Sequence, residues 1–275
     1  MEEHRTSAAT RARGSSFYAA MRIMPRAQRE AMFEIYGFCR AVDDIADEAG
    51  SHEVRIDQLQ RWRADIDAIY SGSPAPHTHG LARAVRTFGL PREDFLAVID
   101  GMEMDVVSTI RAPDLATLDL YCDRVASAVG RLSVRVFQME KQAGLALAYH
   151  LGRALQLTNI LRDLDEDAAL GRLYLPKEAL LEANITTSEP LAALSSPTIG
   201  RACASVAALA EQHFAKADAI MARSPRRAVR TPRIMAAAYR LILARMIARG
   251  WKAPRERVKL RRRQFLSILL RYAIV

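Results

Sequence analysis

Two short acidic runs, Asp43-Asp44-Ile45-Ala46-Asp47 and Asp163-Leu164-Asp165-Glu166-Asp167, lie about 120 residues apart, and each closes an apolar stretch of helical spacing. In each run the first and last Asp are four apart, so at about 100° and roughly 1.5 Å per residue they stand one turn apart on one helix face. Like charges so placed destabilise an isolated helix by about 0.2 to 0.5 kcal/mol per pair. No Lys or Arg lies between Ala41 and Val54 to offset them. The preceding runs, Ala31 to Val42 and Leu151 to Leu161, are apolar enough to be buried, so the acids should emerge from a core instead of decorating a solvated face. Each pair reads as a clamp for a divalent cation. Magnesium is the expected ion, with manganese as its substitute, because hard oxygens suit it and it commonly links one or two carboxylates to phosphates. A phosphorylated ligand follows.

The chain has 275 residues, half of them apolar, enough for a large core. Its net charge of +9 is unevenly placed: from Arg223 to Arg271 nearly every charged residue is Arg or Lys, with Glu256 the lone acid. Such a tail suits a diphosphate, an anionic lipid or nucleic acid. Nucleic acid is the weakest of these and is not expected, because the tail has no interleaved aromatic platform and no zinc-finger or RNA-recognition signature. Cys39, Cys122 and Cys203 are widely spaced inside helical patterns, which points to a reducing compartment and away from a disulfide framework or zinc site. With no signal-peptide pattern and no window of about 18 apolar residues, the protein is expected in the cytoplasm.

Helical periodicity runs through the chain. Pro25 starts a helix that continues to Gly50 and carries the first clamp in its last turns. Further helices are expected over Arg55 to Tyr70, Pro91 to Ser108, Leu115 to Gln142, Leu145 to Asp165, Pro176 to Ala183, Thr198 to Met221 and Thr231 to Arg249, the last opened by Thr231-Pro232. Ser71 to Pro76 breaks regular structure, and His77 and His79 are placed in that loop as a solvated turn. No stretch alternates with strand period, and long linkers and repeats are absent, so a single all-α domain over residues 1–275 is expected. The small residues Ala126-Ser127-Ala128-Val129-Gly130 fit close helix packing or the floor of an apolar cavity. Lys259 to Arg263 followed by Phe265, Leu266, Ile268, Leu269 and Leu270 fits a last core helix or a basic amphipathic element lying peripherally at the inner face of a membrane.

Three segments, Gly14-Ser15-Ser16-Phe17-Tyr18, Ile35 to Glu48 and Gln156 to Asp167, resemble the squalene and phytoene synthase family. Gly171-Arg172-Leu173-Tyr174-Leu175-Pro176 supports the likeness, which runs from about Ser15 to Tyr239. The resemblance implies an isoprenoid synthase helical bundle around a central apolar cavity, joining two prenyl diphosphates head to head. By motif it implies that Asp43 and Asp47 bind magnesium on one wall and Asn159, Asp163 and Asp167 on the other, with these four Asp serving catalysis. It further implies that Arg40 binds diphosphate and that Ser16, Phe17, Tyr36, Tyr121, Gln156, Asn159 and Tyr239 contact substrate. For Tyr121 and Tyr239, packing of the ring in the core with the hydroxyl on a partner is an equal expectation.

Within the family, Ala19-Ala20-Met21-Arg22 and Asp-Leu-Asp-Glu-Asp look most like the bacterial members of the hopanoid route, which join two farnesyl diphosphates into presqualene diphosphate. No nicotinamide cofactor is expected, and the chain has no Gly-x-Gly-x-x-Gly fingerprint. Phytoene synthase acting on geranylgeranyl diphosphate, and squalene synthase, are the alternatives within the family. Outside it stand a helical nucleotide pyrophosphohydrolase, which would need a polar base pocket, and a non-catalytic lipid-surface protein, which leaves the clamps without a purpose.

Overall fold

Apolar residues recurring every third or fourth position give the chain its helices, seen in a computed structural model that describes residues 20–48, 50–107 and 110–273. Helix α1 (Arg26–Asp47) buries Met32, Ile35, Phe38, Val42 and Ile45 along one stripe. Helix α2 (His52–Tyr70) starts where Ser51 accepts from the Val54 amide, and α3 (His79–Phe88) stops at Gly89, whose left-handed φ of 60° costs a glycine little. Helix α4 (Arg92–Val107) follows. Helix α5 (Leu115–Cys122), capped by Asp114, runs through a π-turn (Asp123–Ser127) into α6 (Ala128–Val136). The long α7 (Lys141–Arg162) leads to three short helices, α8 (Leu164–Ala169), α9 (Lys177–Glu182) and α10 (Pro190–Leu194). Two more long helices, α11 (Ile199–Arg223) and α12 (Arg226–Arg249), precede α13 (Arg262–Ala273). Among the described residues the sole extended pairing is an isolated bridge between Arg111 and Leu173, and no helix is long and apolar enough to cross a membrane.

Four sequence expectations are corrected. The break from Ser71 to Ala75 is present, but the two exposed histidines lie beyond it: His77 sits in a 3-10 turn with Nε2 3.0 Å from Asp65, and His79 opens α3. The expected helix from Leu115 to Gln142 is divided by the π-turn and ends at Val136, because Gln138 adopts a φ of 55°. The helix expected to run through Asp165 breaks at Asp163, although the Asp167 amide still bonds to the Asp163 carbonyl at 2.8 Å. Thr231-Pro232 is not a helix start: α12 begins five residues earlier, and Pro232 lies inside it and lines the central cavity. An interior proline costs about 3 kcal/mol in an isolated helix, so tertiary packing overrides local preference there.

Helix α7 runs through the middle, packed most extensively against α11 and also against α6, the π-turn and α12. One apolar cluster gathers α7, α11 and residues 164–194, and a second gathers α1 to α4 with α6. The backbones of α7 and the π-turn nearly touch: a Cβ on Gly152 would lie 2.8 Å from the Ser127 backbone, and one on Gly130 3.1 Å from Ala148 Cα. Both expectations for the small-residue run therefore hold, since Ser127 and Ala128 are buried in packing while Ala126, Val129 and Gly130 face the cavity. Arg153 and Arg131 fasten this region, Arg153 to Asp119 (2.6 Å) and Asp123 (3.3 Å), Arg131 to Asp123 (3.1 Å) and Asp94.

Candidate active site

Between the two apolar clusters lies a cavity of about 720 Å³, walled by α1, α4, the π-turn, α6, α7, α12 and residues 257–260. That volume is in the upper part of the roughly 300 to 1,000 Å³ common for small-molecule sites. Its walls are graded. Along α1 the lining passes from Asp43 and Arg40 through Cys39 and Tyr36 to Ile35 and Met32, and along α7 from Arg162, Asn159 and Gln156 down to Leu151 and Leu147. Arg257 and Lys259 add positive charge to the wall, while Met32 and Leu147, well along their helices from the acids, are almost wholly buried.

The first acid run occupies the C-terminal end of α1, where the helix dipole already disfavours negative charge. Arginines offset this. Arg40 donates to Asp43 (2.6 Å) and Asp44 (2.7 Å), and Arg172 donates to Asp47 (2.7 Å) and the Ala46 carbonyl (2.9 Å), which also accepts from Arg55 (3.1 Å). The second run fares better locally, because Asp165, Glu166 and Asp167 fall in the first turn of α8. Arg162 grips Asp163 through two bonds of 2.8 and 2.6 Å. The basic tail returns over the same acids, with Arg257 3.0 Å from Asp163 and 2.8 Å from Glu166, and Arg255 2.8 Å from Asp165.

Arg172 joins the two runs: while its guanidinium holds Asp47, its amide bonds to the Asp167 carbonyl at 2.8 Å. The carboxyls share one electrostatic field. Burial pushes Asp43 up to about 6 against the pull of Arg40, with Asp47, Asp44 and Asp105 adding to the rise. Burial likewise pushes Asp167 up to about 7, with Asp163, Asp105 and Asp47 reinforcing it and Arg172 opposing it. Asp47 and Asp105 thus act on carboxyls of both runs. Asn159 Oδ1 is buried without a hydrogen-bond partner. These are hard oxygen donors of the kind that suit a small divalent cation, held meanwhile by the surrounding arginines. Among the described residues no three such side chains stand close enough to form a ready-made metal cage.

Of the residues singled out from sequence, Asp43, Tyr36, Arg40, Tyr121, Gln156, Asn159 and Tyr239 line the cavity. Asp47, Asp163 and Asp167 stand beside its polar end, not in its wall. Ser16 and Phe17 lie outside the described residues. The packing expected of the two tyrosines, with each hydroxyl on a partner, is seen on the cavity wall: Tyr239 sets its hydroxyl against Arg162, and Tyr121 donates to Asp105 at 2.9 Å. Tyr174 donates to the other Asp105 oxygen at 2.6 Å and stacks on Tyr121 with ring centroids 4.9 Å apart. Asp105 went unread in the sequence, yet it carried a signal. It sits on the stripe of Phe95, Val98 and Met102, an acid inside an apolar helical face. Arg172 and Tyr174 were visible only as part of a motif, without a role. Cys39, on the cavity wall, is held as a neutral thiol by burial, which pushes it up to about 12.

The squalene/phytoene synthase family model matches residues 10–264, reaching further at both ends than the motifs did. A presqualene diphosphate synthase from Rhodopseudomonas palustris is 59% identical over 95% of this chain and 94% of its own, and one from Sinorhizobium fredii is 57% identical with the same coverage. A phytoene synthase from Mycobacterium tuberculosis is 38% identical over 64% of this chain and 57% of its own. Among solved structures, a squalene synthase from Alicyclobacillus acidocaldarius superimposes with a TM-score of 0.79 at 27% identity, covering 89% of this chain and 92% of the other. The fold, the graded cavity with acids at one end and the match along most of its length together establish that this chain belongs to the squalene/phytoene synthase family.

Proposed function

We propose that this chain, as one domain, joins two farnesyl diphosphates head to head, releasing diphosphate and a proton and giving presqualene diphosphate, with magnesium as its metal. The observation that carries this is the Arg172 bridge, which brings both acid runs to the polar end of an apolar cavity. The named activity of the two relatives matched along nearly their whole length supports it.

The length of the apolar lining along α1 and α7 supports farnesyl over geranylgeranyl chains. Below the charged end, the apolar wall spans about 10 Å from Cys39 to Met32 and about 14 Å from Gln156 to Leu147 at roughly 1.5 Å rise per residue. An extended chain covers about 1.2 Å per main-chain bond, so a farnesyl tail needs roughly 13 Å and a geranylgeranyl tail roughly 18 Å.

Asp43, Asp47, Asn159, Asp163 and Asp167 would hold magnesium, which when bound neutralises diphosphate oxygens and stabilises the leaving group's charge. Arg40, Arg162, Arg257 and Lys259 exchange carboxylate or solvent partners for diphosphate oxygens, and so orient the head groups. The Tyr36 ring offers a face to the allylic cation, an attraction of about 0.5 to 2 kcal/mol. Gln156, Tyr121 and Tyr239 position the reacting ends, Tyr121 through a hydroxyl held by Asp105. Ser16 and Phe17 belong with them by family likeness alone. The second substrate's double bond attacks the cation, a proton leaves and a cyclopropane closes. The Leu, Val and Met walls keep water from quenching the cation to an alcohol. Because the product is a lipid, peripheral membrane contact through the basic C-terminal segment is part of the same proposal.

The purified protein, given farnesyl diphosphate and magnesium without a nicotinamide cofactor, is expected to yield presqualene diphosphate. Squalene, no product, or a preference for geranylgeranyl diphosphate with phytoene-type output would overturn this. Asp43→Ala and Asp163→Ala should each abolish turnover while circular dichroism stays that of the parent.

A further inference from the structure

Among the described residues, helix α13 packs one apolar face inward and leaves two further leucines exposed. Phe265, Ile268, Leu269 and Tyr272 turn inward onto Ala20, Ile234 and Met235 of a small core cluster that also includes Tyr239. At about 100° per residue the opposite face carries Leu266 and Leu270, one turn apart, with Arg262 and Arg263 beside them, while Arg271 lies further round with its guanidinium over the Tyr272 ring (5.6 Å to the centroid). Leu266 is 56% exposed and Leu270 53%, against a core in which leucines are almost fully covered. Arg261, Arg262 and Arg263 are exposed at the start of the helix, and none of them meets a carboxylate among the described residues. Elsewhere in this basic tail Arg255 and Arg257 are taken up by the second acid run, so the free charge concentrates beside the exposed leucines.

We propose that the outer face of α13 is a docking surface for an anionic lipid bilayer, with Leu266 and Leu270 entering the acyl boundary and Arg261, Arg262 and Arg263 meeting the head groups. A short basic helix with leucines on its exposed face suits the plane of such an interface. A second copy of the chain is the poorer occupant, because a symmetric contact would bring the same arginines against one another. The location fits the traffic: Met235 and Tyr239, against which α13 packs, also line the cavity, so this face sets the α12 wall next to the bilayer. The proposal deepens the membrane contact of the preceding reading and rests on it for its purpose, delivery of a lipid product.

The test uses the full chain, without substrate, in co-sedimentation with vesicles of phosphatidylcholine alone or mixed with phosphatidylglycerol. The protein should partition onto the anionic vesicles and little onto the neutral ones, with binding weakened by salt. Leu266→Glu/Leu270→Glu and Arg262→Glu/Arg263→Glu should each lower that partitioning at least about tenfold, with thermal unfolding and turnover of soluble substrate unchanged in the first pair. No partitioning of the parent, equal partitioning of parent and leucine variant, or a parent dimer that the leucine variant dissociates would overturn the proposal. A failed turnover assay bears on the reaction, and a failed partition assay on this surface.

Discussion

Arg172 donates to Asp47 and to the last turn of α1 while its own amide bonds to Asp167, so one residue both screens and positions the two acid runs. Arg172→Ala would leave Asp47, Asp105 and Asp167 repelling one another without the guanidinium that offsets them. Turnover is expected to fall by roughly 10²-fold or more, the scale of losing one preorganised electrostatic partner, and the melting temperature should fall with it. Arg172→Lys keeps the charge but not the two-pronged geometry, and should recover only part of the activity. Kinetics and melting of the three proteins side by side check this; equal kcat/KM in all three would refute it. Such a role could not be read from the motif around Arg172, because its partners lie 125 and 126 residues away in the chain.

At the scale of elements, the contact between α7 and the π-turn depends on a glycine. Gly152→Ala would push a methyl to 2.8 Å from the Ser127 backbone, which cannot give way as a side-chain tip can, and should cost about 1 to 3 kcal/mol in urea unfolding. Gly200 in α11 is the control, since a Cβ there meets nothing closer than 3.7 Å and the exchange should be neutral or stabilise by up to about 1 kcal/mol. A second link, between α7 and α11, is the pair His150 and His213, whose Nδ1 atoms lie 3.0 Å apart. Burial, with His150 and Arg153 nearby, lowers His213 from 6.5 to about 4. The folded chain therefore resists a proton that the unfolded chain accepts near 6.5. Stability from this contact should be full above about pH 6.5 and should be lost as pH falls towards 4. Thermal midpoints measured across that window should drop more steeply in the parent than in His213→Gln.

Across the whole molecule, the two core clusters meet around the cavity, and Met32 and Leu147 line its apolar part. Met32→Ala would enlarge that part from the α1 side. The ratio of geranylgeranyl to farnesyl diphosphate turnover should rise, at a stability cost of about 2 to 5 kcal/mol for removing a buried methionine side chain. Competition between the two substrates reads the ratio directly, and an unchanged ratio would place the length limit elsewhere.

The sequence by itself determined the helical class, the family and the two acid runs, because helical periodicity and short motifs are local and survive in a string of letters. Through the family resemblance it also singled out Tyr36, Arg40, Gln156 and Asn159, which line the cavity. Only the tertiary structure decided what partners those acids have. Asp105, Tyr174, Arg172, Arg255 and Arg257 come from three separate segments, and burial with through-space charge, not spacing, brings them together. The same holds for the π-turn and for Pro232 inside α12, where packing around α7 outweighs the local preferences that a sequence reader must rely on.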